Sequence, residues 1–117
     1  MSVTIYHNPR CSTSRTVLAL IREAGIEPLV VNYLVTPPSR ERLRELLRGA
    51  GLSPREAMRR KETLYAELRL DEEADEERLL DAMLAHPVLI ERPFVQSPLG
   101  VRLGRPPERV LEILPTR

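Results

Sequence analysis

The order of apolar and polar positions in the first third of the chain predicts a strand, a helix and a second strand. Residues 3–6 are a short apolar, β-branched run, and a turn signal follows them. Residues 12–24 then carry apolar side chains at helical spacing, with Ser12 or Thr13 as the expected N-cap. Residues 29–33 form a second β-branched run. We therefore predict a parallel βαβ unit here.

The middle of the chain carries the periodicity of helices. A leucine-rich helix is expected to follow Ser39 and to end at the glycines before residue 52. Residues 53–56 read as a capping box with proline at the first helical position, and they predict a helix that continues to about Leu70. The acidic residues 71–77 are expected to form an exposed connection and the first turn of another helix.

The last third changes to short apolar runs and turn signals. Residues 93–96 and 101–103 flank a turn at residues 97–100, which predicts a β-hairpin. The pair Pro106-Pro107 is expected to start a final helix that runs almost to the C-terminus at Arg117.

Composition narrows the function classes more than it narrows the fold. The chain has 117 residues, a net charge of +1 and 3% aromatic residues, which fits one domain with an aliphatic core. A charge balance so near zero argues against nucleic-acid binding, and from the residue pattern we expect neither a signal peptide nor a membrane span. We therefore expect a cytoplasmic protein, with a monomer as the simplest oligomeric state.

The one cysteine of the chain, Cys11, is the strongest chemical signal. It falls where the first helix begins, so backbone N–H groups and the helix dipole favour a thiolate there, and Arg10 and Arg15 add positive charge. A buried structural thiol is the alternative, but these polar, cationic surroundings favour a nucleophile. Ser14, three residues further on, could donate a hydrogen bond to the sulfur. A lone cysteine cannot form an internal disulfide, so any redox cycle needs a thiol from outside.

Together the elements predict an α/β fold: a thioredoxin-like four-stranded mixed sheet in the order βαβ…ββα, with a helical insertion at about residues 39–86 of a single domain, 1–117. The sequence resembles the glutaredoxin-dependent arsenate reductase family over essentially its whole length. Four ordered motifs carry the resemblance: residues 5–9, 11–15, 89–93 and 103–106. Ser12 stands where typical members have glycine, and typical members continue further beyond the last helix, so the chain is most similar to the shorter subgroup.

The resemblance implies roles for particular residues. Cys11 would be the catalytic nucleophile, with His7 and Ser14 supporting it, although a histidine that ends a strand is as often only a loop hydrogen-bonder. Pro93 would follow a cis peptide bond beside the cysteine. Three arginines would surround the oxyanion: Arg59, Arg92 and Arg105. Arg60 is the alternative to Arg59, because the two are neighbours in the sequence.

The activity implied is reduction of arsenate to arsenite through an adduct on Cys11, with glutathione as co-substrate and glutaredoxin as partner. The resemblance implies no metal and no tightly bound cofactor. Two alternatives remain open at this stage. One is a regulator similar to the Spx proteins, which bind RNA polymerase, although Ser14 stands where many of those have a second cysteine. The other is a general glutathione-dependent thiol oxidoreductase without arsenate activity.

Overall fold

The computed structural model describes residues 2–115, which contain four strands, four α-helices and short 3-10 helices. The described residues form two compact units, one made of the chain up to Thr36 and from Arg92 onward, the other of Pro37–Glu91. The strands and α-helices, in chain order, are β1 Thr4–His7, α1 Ser12–Glu23, β2 Leu29–Asn32, α2 Arg40–Ala50, α3 Thr63–Glu67, α4 Glu76–Ala85, β3 Phe94–Ser97 and β4 Gly100–Leu103.

The first unit is built on a four-stranded sheet with the strand order β2-β1-β3-β4. The central strand β1 pairs in parallel with β2, where Ile5 lies opposite Val30, and antiparallel with β3, where Ile5 lies opposite Val95. Strand β4 is antiparallel to β3. The predicted mixed α/β sheet with βαβ and hairpin halves is therefore confirmed.

Helix α1 packs on this sheet because its buried positions recur with helical spacing at Ser14, Val17 and Ile21. The aliphatic core that they join is what the scarcity of aromatic residues predicted. The prediction of Ser12 or Thr13 as N-cap is wrong, because the backbone of Cys11 is still extended and the helix begins directly after it. The core cluster consists of Val3, Ile5, Val17, Ile21, Val95, Val110, Ile113 and Leu114.

The end of the chain differs from the prediction in helix type and length. Residues Pro107–Ile113 form a 3-10 helix, and Leu114 after it is extended. The Ser97 hydroxyl donates a hydrogen bond to the carbonyl of Ile113 at 2.5 Å, which ties this end to β3. The predicted helix therefore ends at Ile113, and the prediction that it continues through Leu114 is wrong. Residues 116 and 117 of the predicted helix lie outside the described part of the chain.

The second unit contains the predicted leucine-rich helix as α2. Ser39 is its N-cap, since the side chain accepts a hydrogen bond from the N–H of Arg42 at 3.1 Å, and Gly51 ends it with a φ of 70°. Helix α4 begins after Asp75, whose side chain accepts from the N–H of Glu77. Ion pairs join α2 to α4, from Arg40 to Glu77 and Asp81 and from Arg44 to Glu77.

The predicted long helix from Ser53 to about Leu70 is wrong. Its capping box forms, because the Ser53 N–H donates to the Glu56 carboxylate at 2.9 Å and the Glu56 N–H donates to the Ser53 hydroxyl. The helix nevertheless stops after one 3-10 turn, since Met58 is extended and pairs as a β-bridge with Ile90. This long-range pairing overrides a strong local start signal.

Among the residues that the structure describes, none of the helices is both long enough and apolar enough to cross a membrane.

Candidate functional site

Cys11 lies at the junction between the loop after β1 and the start of α1. Its N–H donates to the carbonyl of Asn8 at 3.0 Å, and its own carbonyl accepts the N–H of Arg15 at 3.0 Å. The Asn8 side chain also closes the loop, because it accepts the N–H of Arg10 at 3.0 Å. The cysteine is therefore held at the N-cap by bonds on both sides, and the sequence-based placement at a helix N-terminus is confirmed.

The surroundings of the sulfur favour its ionised form. Burial by itself raises the pKa of the Cys11 thiol, but hydrogen bonds from the backbone N–H groups of Ser14 and Thr13 and the positive guanidinium of Arg92, which also hydrogen-bonds the sulfur, lower it below its usual value. Cys11 is 9% exposed, so only a small part of the residue meets solvent. A thiolate held in this way is a ready nucleophile.

Ser14 acts through its backbone at the sulfur, and its hydroxyl is engaged elsewhere. That hydroxyl lies 2.6 Å from His7 Nδ1 and accepts the N–H of Asn8 at 3.1 Å. The expected hydrogen bond from Ser14 to the sulfur is therefore made by the backbone N–H, while the fully buried side chain contacts the loop after β1. His7 and Ser14 together fix the loop that carries the cysteine.

His7 is 6% exposed at the end of β1. Burial and the positive charges of Arg22 and Arg15 lower the pKa of its imidazole below the ordinary 6.5. A neutral ring is consequently the stable form at neutral pH. Such a ring can orient the loop through the bond to Ser14, as the sequence resemblance implied.

Arg92 and Arg105 meet where β3 begins and β4 ends. The peptide bond between Arg92 and Pro93 is cis, as the resemblance implied, and so is the bond between Arg105 and Pro106, which the sequence did not indicate. Arg105 is exposed and donates from Nη1 to the carbonyl of Arg92 at 3.0 Å. Cys11, Arg92 and Arg105 thus belong to one part of the first unit.

Gly104 allows this part of the chain to pack closely. Its N–H donates to the carbonyl of Pro93 at 2.9 Å. A Cβ at this position would lie 2.8 Å from Val17 Cγ2 and 3.2 Å from Pro93 Cγ, so no larger residue fits without movement. The sequence contained this residue in the fourth motif, but only the packing shows why a glycine stands beside Arg105.

Arg59 lies in the second unit, directly after Met58, which forms the β-bridge with Ile90. Its N–H donates to the carbonyl of Leu89 at 2.7 Å, and its guanidinium pairs with Glu62 at 3.3 Å. The side chain is 24% exposed, whereas Arg60 is an exposed residue. This difference favours Arg59 over Arg60 as the arginine with a defined position.

Sequence reasoning missed two residues that shape the loop. Asn8 was treated only as a breaker of the strand, yet its backbone carbonyl and side chain both hold the loop. Arg15 was treated only as nearby charge, yet its Nη1 donates to the carbonyl of Pro9 at 2.8 Å. The asparagine before a proline was the available signal, because asparagine often hydrogen-bonds the backbone two residues on.

The described residues, 2–115, bring together no group of three His, Cys, Asp or Glu side chains able to hold a metal ion. The arrangement offers instead a thiolate beside a guanidinium and a row of backbone N–H groups. Guanidinium and backbone donors bind oxyanions, and the thiolate can attack a soft electrophilic centre within one. The site is therefore suited to nucleophilic chemistry on an oxyanion or a disulfide.

Comparisons with known proteins agree with this reading. The model of the ArsC family matches residues 6–113. An arsenate reductase of Rhizobium meliloti is 61% identical over 98% of this chain and 83% of its own length, and the uncharacterised protein YfgD of Escherichia coli is 54% identical over 96% of both chains. The solved structure of an arsenate reductase from Vibrio cholerae superimposes with a TM-score of 0.93 at 52% identity, covering 97% of this chain and 98% of the other.

Proposed function

This chain belongs to the ArsC family, and from that premise we propose that it is an arsenate reductase in which the Cys11 thiolate attacks arsenic(V). The observation that carries the proposal is the environment of the sulfur, where Arg92 and two backbone N–H groups favour the thiolate. Arsenate is a tetrahedral oxyanion with a soft, electrophilic centre. A thiolate next to a guanidinium therefore matches both of its properties.

The reaction balances with two thiols. The Cys11 sulfur forms a bond to arsenic and a hydroxide, protonated to water, leaves. The thiolate of glutathione then attacks the Cys11 sulfur, and the pair of electrons of the sulfur–arsenic bond reduces arsenic(V) to arsenic(III), which leaves as arsenite. The new bond is a disulfide between Cys11 and glutathione. Glutaredoxin with a further glutathione returns Cys11 to the thiol and carries the oxidising equivalents away as glutathione disulfide.

Three arginines are assigned to the oxyanion. Arg92 hydrogen-bonds the sulfur, so it is close to any group that the sulfur attacks. Arg105 is anchored by one nitrogen to the carbonyl of Arg92, which leaves the rest of its fork for a ligand. Arg59 has the family position and a defined side chain, and its arsenate-binding role rests on that match.

We assign His7 and Ser14 a positioning role. The contact between Ser14 Oγ and His7 Nδ1 fixes the loop whose backbone holds Cys11, and neither side chain is asked to move a proton. The protein needs neither a metal nor a tightly bound cofactor for this chemistry. We assign it to the cytoplasm, because a nucleophilic cysteine that is regenerated by glutathione requires a reducing compartment. A monomer remains the simplest expectation for its oligomeric state.

A coupled assay tests the proposal. Purified protein is mixed with glutathione, glutaredoxin, glutathione reductase and NADPH, and NADPH oxidation is followed with and without arsenate. We expect arsenate-dependent oxidation that is abolished in Cys11→Ser. Arg92→Lys should lose at least about tenfold in kcat/KM for arsenate, since lysine cannot reproduce the guanidinium fork. The exposed residue Arg78 of α4 offers a matched control, and Arg78→Lys should retain the full rate.

The alternatives give different results in the same experiment. If added glutathione disulfide converts Cys11 to the mixed disulfide with release of one glutathione, but arsenate adds nothing to NADPH oxidation, the arsenate assignment is wrong and a general thiol oxidoreductase remains. Binding of RNA polymerase by the purified chain, without turnover, would instead support a regulator similar to the Spx proteins.

A further inference from the structure

A groove of about 540 Å³ runs beside α1 in the first unit. That volume lies within the range of about 300–1,000 Å³ that small-molecule sites occupy. Its lining combines apolar side chains, charged side chains and one imidazole. The lining includes His7, Pro9, Arg15, Leu18, Arg22 and Glu23.

The charged residues of the groove retain capacity for a ligand. Arg15 is exposed and uses Nη1 for the carbonyl of Pro9, which leaves Nε and Nη2 as donors for a ligand. Arg22 pairs with Glu27 at 3.1 Å, but both side chains are more than half exposed, and a pair of this kind exchanges readily for another carboxylate. Glu23 supplies one negative charge at the same end as Arg22.

His7 provides a buried polar edge to the groove. The residue is 6% exposed. Within the described part of the chain, the hydrogen bond of its ring joins Nδ1 to the hydroxyl of Ser14. Both groove arginines are close enough for their charge to act on the ring. An anionic group in the groove would offset this accumulated positive charge, and it could accept a hydrogen bond from Nε2 in the tautomer that carries its proton there.

The groove lies beside the loop that leads to Cys11, because its lining includes Pro9, two residues before the cysteine. Residues 15, 18 and 22 follow the spacing i, i+3 and i+7, which places them in one stripe along α1, and Cys11 directly precedes the helix as its N-cap. At about 1.5 Å per residue, Arg15 lies about 6 Å and Arg22 about 16 Å along the axis from Cys11. A ligand linked to the sulfur can therefore extend along the groove within reach of the arginine side chains.

We propose that this groove binds the peptide of glutathione and so selects the thiol that reacts with Cys11, an inference that rests on the proposed function. Glutathione carries its thiol in the middle, a carboxylate at each end and an ammonium group beside one of them. Arg15 and Arg22 match the carboxylates, Glu23 matches the ammonium group, and Leu18 lies beneath the peptide. The ligand is thereby distinguished from a simple uncharged thiol.

Thiol–disulfide exchange tests the groove without arsenate. The Cys11 thiolate attacks glutathione disulfide, which forms the mixed disulfide on Cys11 and releases one glutathione, and mass spectrometry follows the rate. Hydroxyethyl disulfide undergoes the same chemistry without any carboxylate. We expect the double variant Arg15→Ala/Arg22→Ala to react about tenfold more slowly with glutathione disulfide and within about twofold of the wild-type rate with hydroxyethyl disulfide. Arg10→Ala removes a charge next to Cys11 but outside the groove, and it should preserve the preference.

Two results would overturn the inference. Equal slowing with both disulfides would show that the arginines act on the reactivity of Cys11, and an equal loss of preference in Arg10→Ala would show that general attraction of charge suffices. The proposed function fails separately, through the absence of arsenate-dependent turnover. A preserved preference for glutathione disulfide would then still support the groove.

Discussion

Gly104→Ala is the substitution whose effect the packing defines most closely. The new Cβ would lie 2.8 Å from Val17 Cγ2, 3.2 Å from Pro93 Cγ and 3.3 Å from Val110 Cγ1. Carbon atoms prefer about 3.5–4.0 Å, so the Val17 contact alone must open by at least about 0.7 Å. Val17 and Val110 are fully buried, which leaves little room to yield. We expect a loss of about 1–3 kcal/mol in the free energy of unfolding.

Urea unfolding measures this loss. With a slope of about 1–3 kcal/mol per molar urea, the midpoint should fall by about 1 M while the slope stays unchanged. Gly49→Ala provides a control of opposite sign, because Gly49 lies exposed in α2, where alanine should stabilise the helix by about 0.5–1 kcal/mol. The arsenate kcat/KM of Gly104→Ala should also fall, since the displaced strand end carries Arg105.

A double-mutant cycle identifies the cause. Val17→Ala removes the methyl group that the new Cβ meets, so the double variant Gly104→Ala/Val17→Ala should lose at least about 1 kcal/mol less than the sum of the two single variants. Additivity within about 0.5 kcal/mol would refute the reasoning, because the loss would then not come from the close contact.

Three further predictions concern the cysteine loop. Arg92→Gln should raise the pKa of the Cys11 thiol, and the pH dependence of alkylation by iodoacetamide should show slower reaction at neutral pH. Ser14→Ala should cost about 1–3 kcal/mol in urea unfolding, because it leaves the buried N–H of Asn8 and the ring of His7 without their partner. Folding lowers the pKa of His7, so the contribution of the neutral ring to the free energy of unfolding is complete above about pH 6.5 and is lost as the pH falls below that value. His7→Gln should reduce this pH dependence in unfolding curves measured from pH 7.5 to 5.

Each of these tests has a control or a contradicting outcome. Arg102→Gln removes an arginine of β4 that pairs with Glu112 of the last 3-10 helix, and it should leave alkylation of Cys11 unchanged. Ser12→Ala removes an exposed hydroxyl from the first turn of α1 and should be almost neutral. For His7, an unfolding free energy with the same slope in the wild type and in His7→Gln would contradict the account.

The fold was predictable where local pattern and tertiary packing agree. The β-branched runs, the apolar stripe of α1 and the glycine after α2 all act within a few residues, and each appears in the structure as expected. The segment after Ser53 was not predictable in the same way. Its capping box is genuine, but the pairing of Met58 with Ile90 spans a large sequence separation, which no local pattern records.

The site was predictable in its residues more than in its contacts. Cys11 at a helix start follows from the pattern of strand, loop and helix, and the family motif predicts Arg92 as a site residue. The hydrogen bond from Arg92 to the sulfur is visible only in the structure. The hydrogen bond from Ser14 to the sulfur was predictable, but the sequence did not indicate that the backbone donates it while the hydroxyl contacts the buried ring of His7. Pairings of this kind are set by the packed loop and leave no periodic trace in the sequence.

A single-turnover experiment tests the central claim most directly. The reduced protein is mixed with arsenate and glutathione in the absence of glutaredoxin, and arsenite release and glutathionylation of Cys11 are measured in the same samples. The account predicts that one arsenite appears for each mixed disulfide formed on Cys11, and that Cys11→Ser gives neither product. Glutathionylation at the same rate without arsenate, or arsenite release from Cys11→Ser, would contradict it.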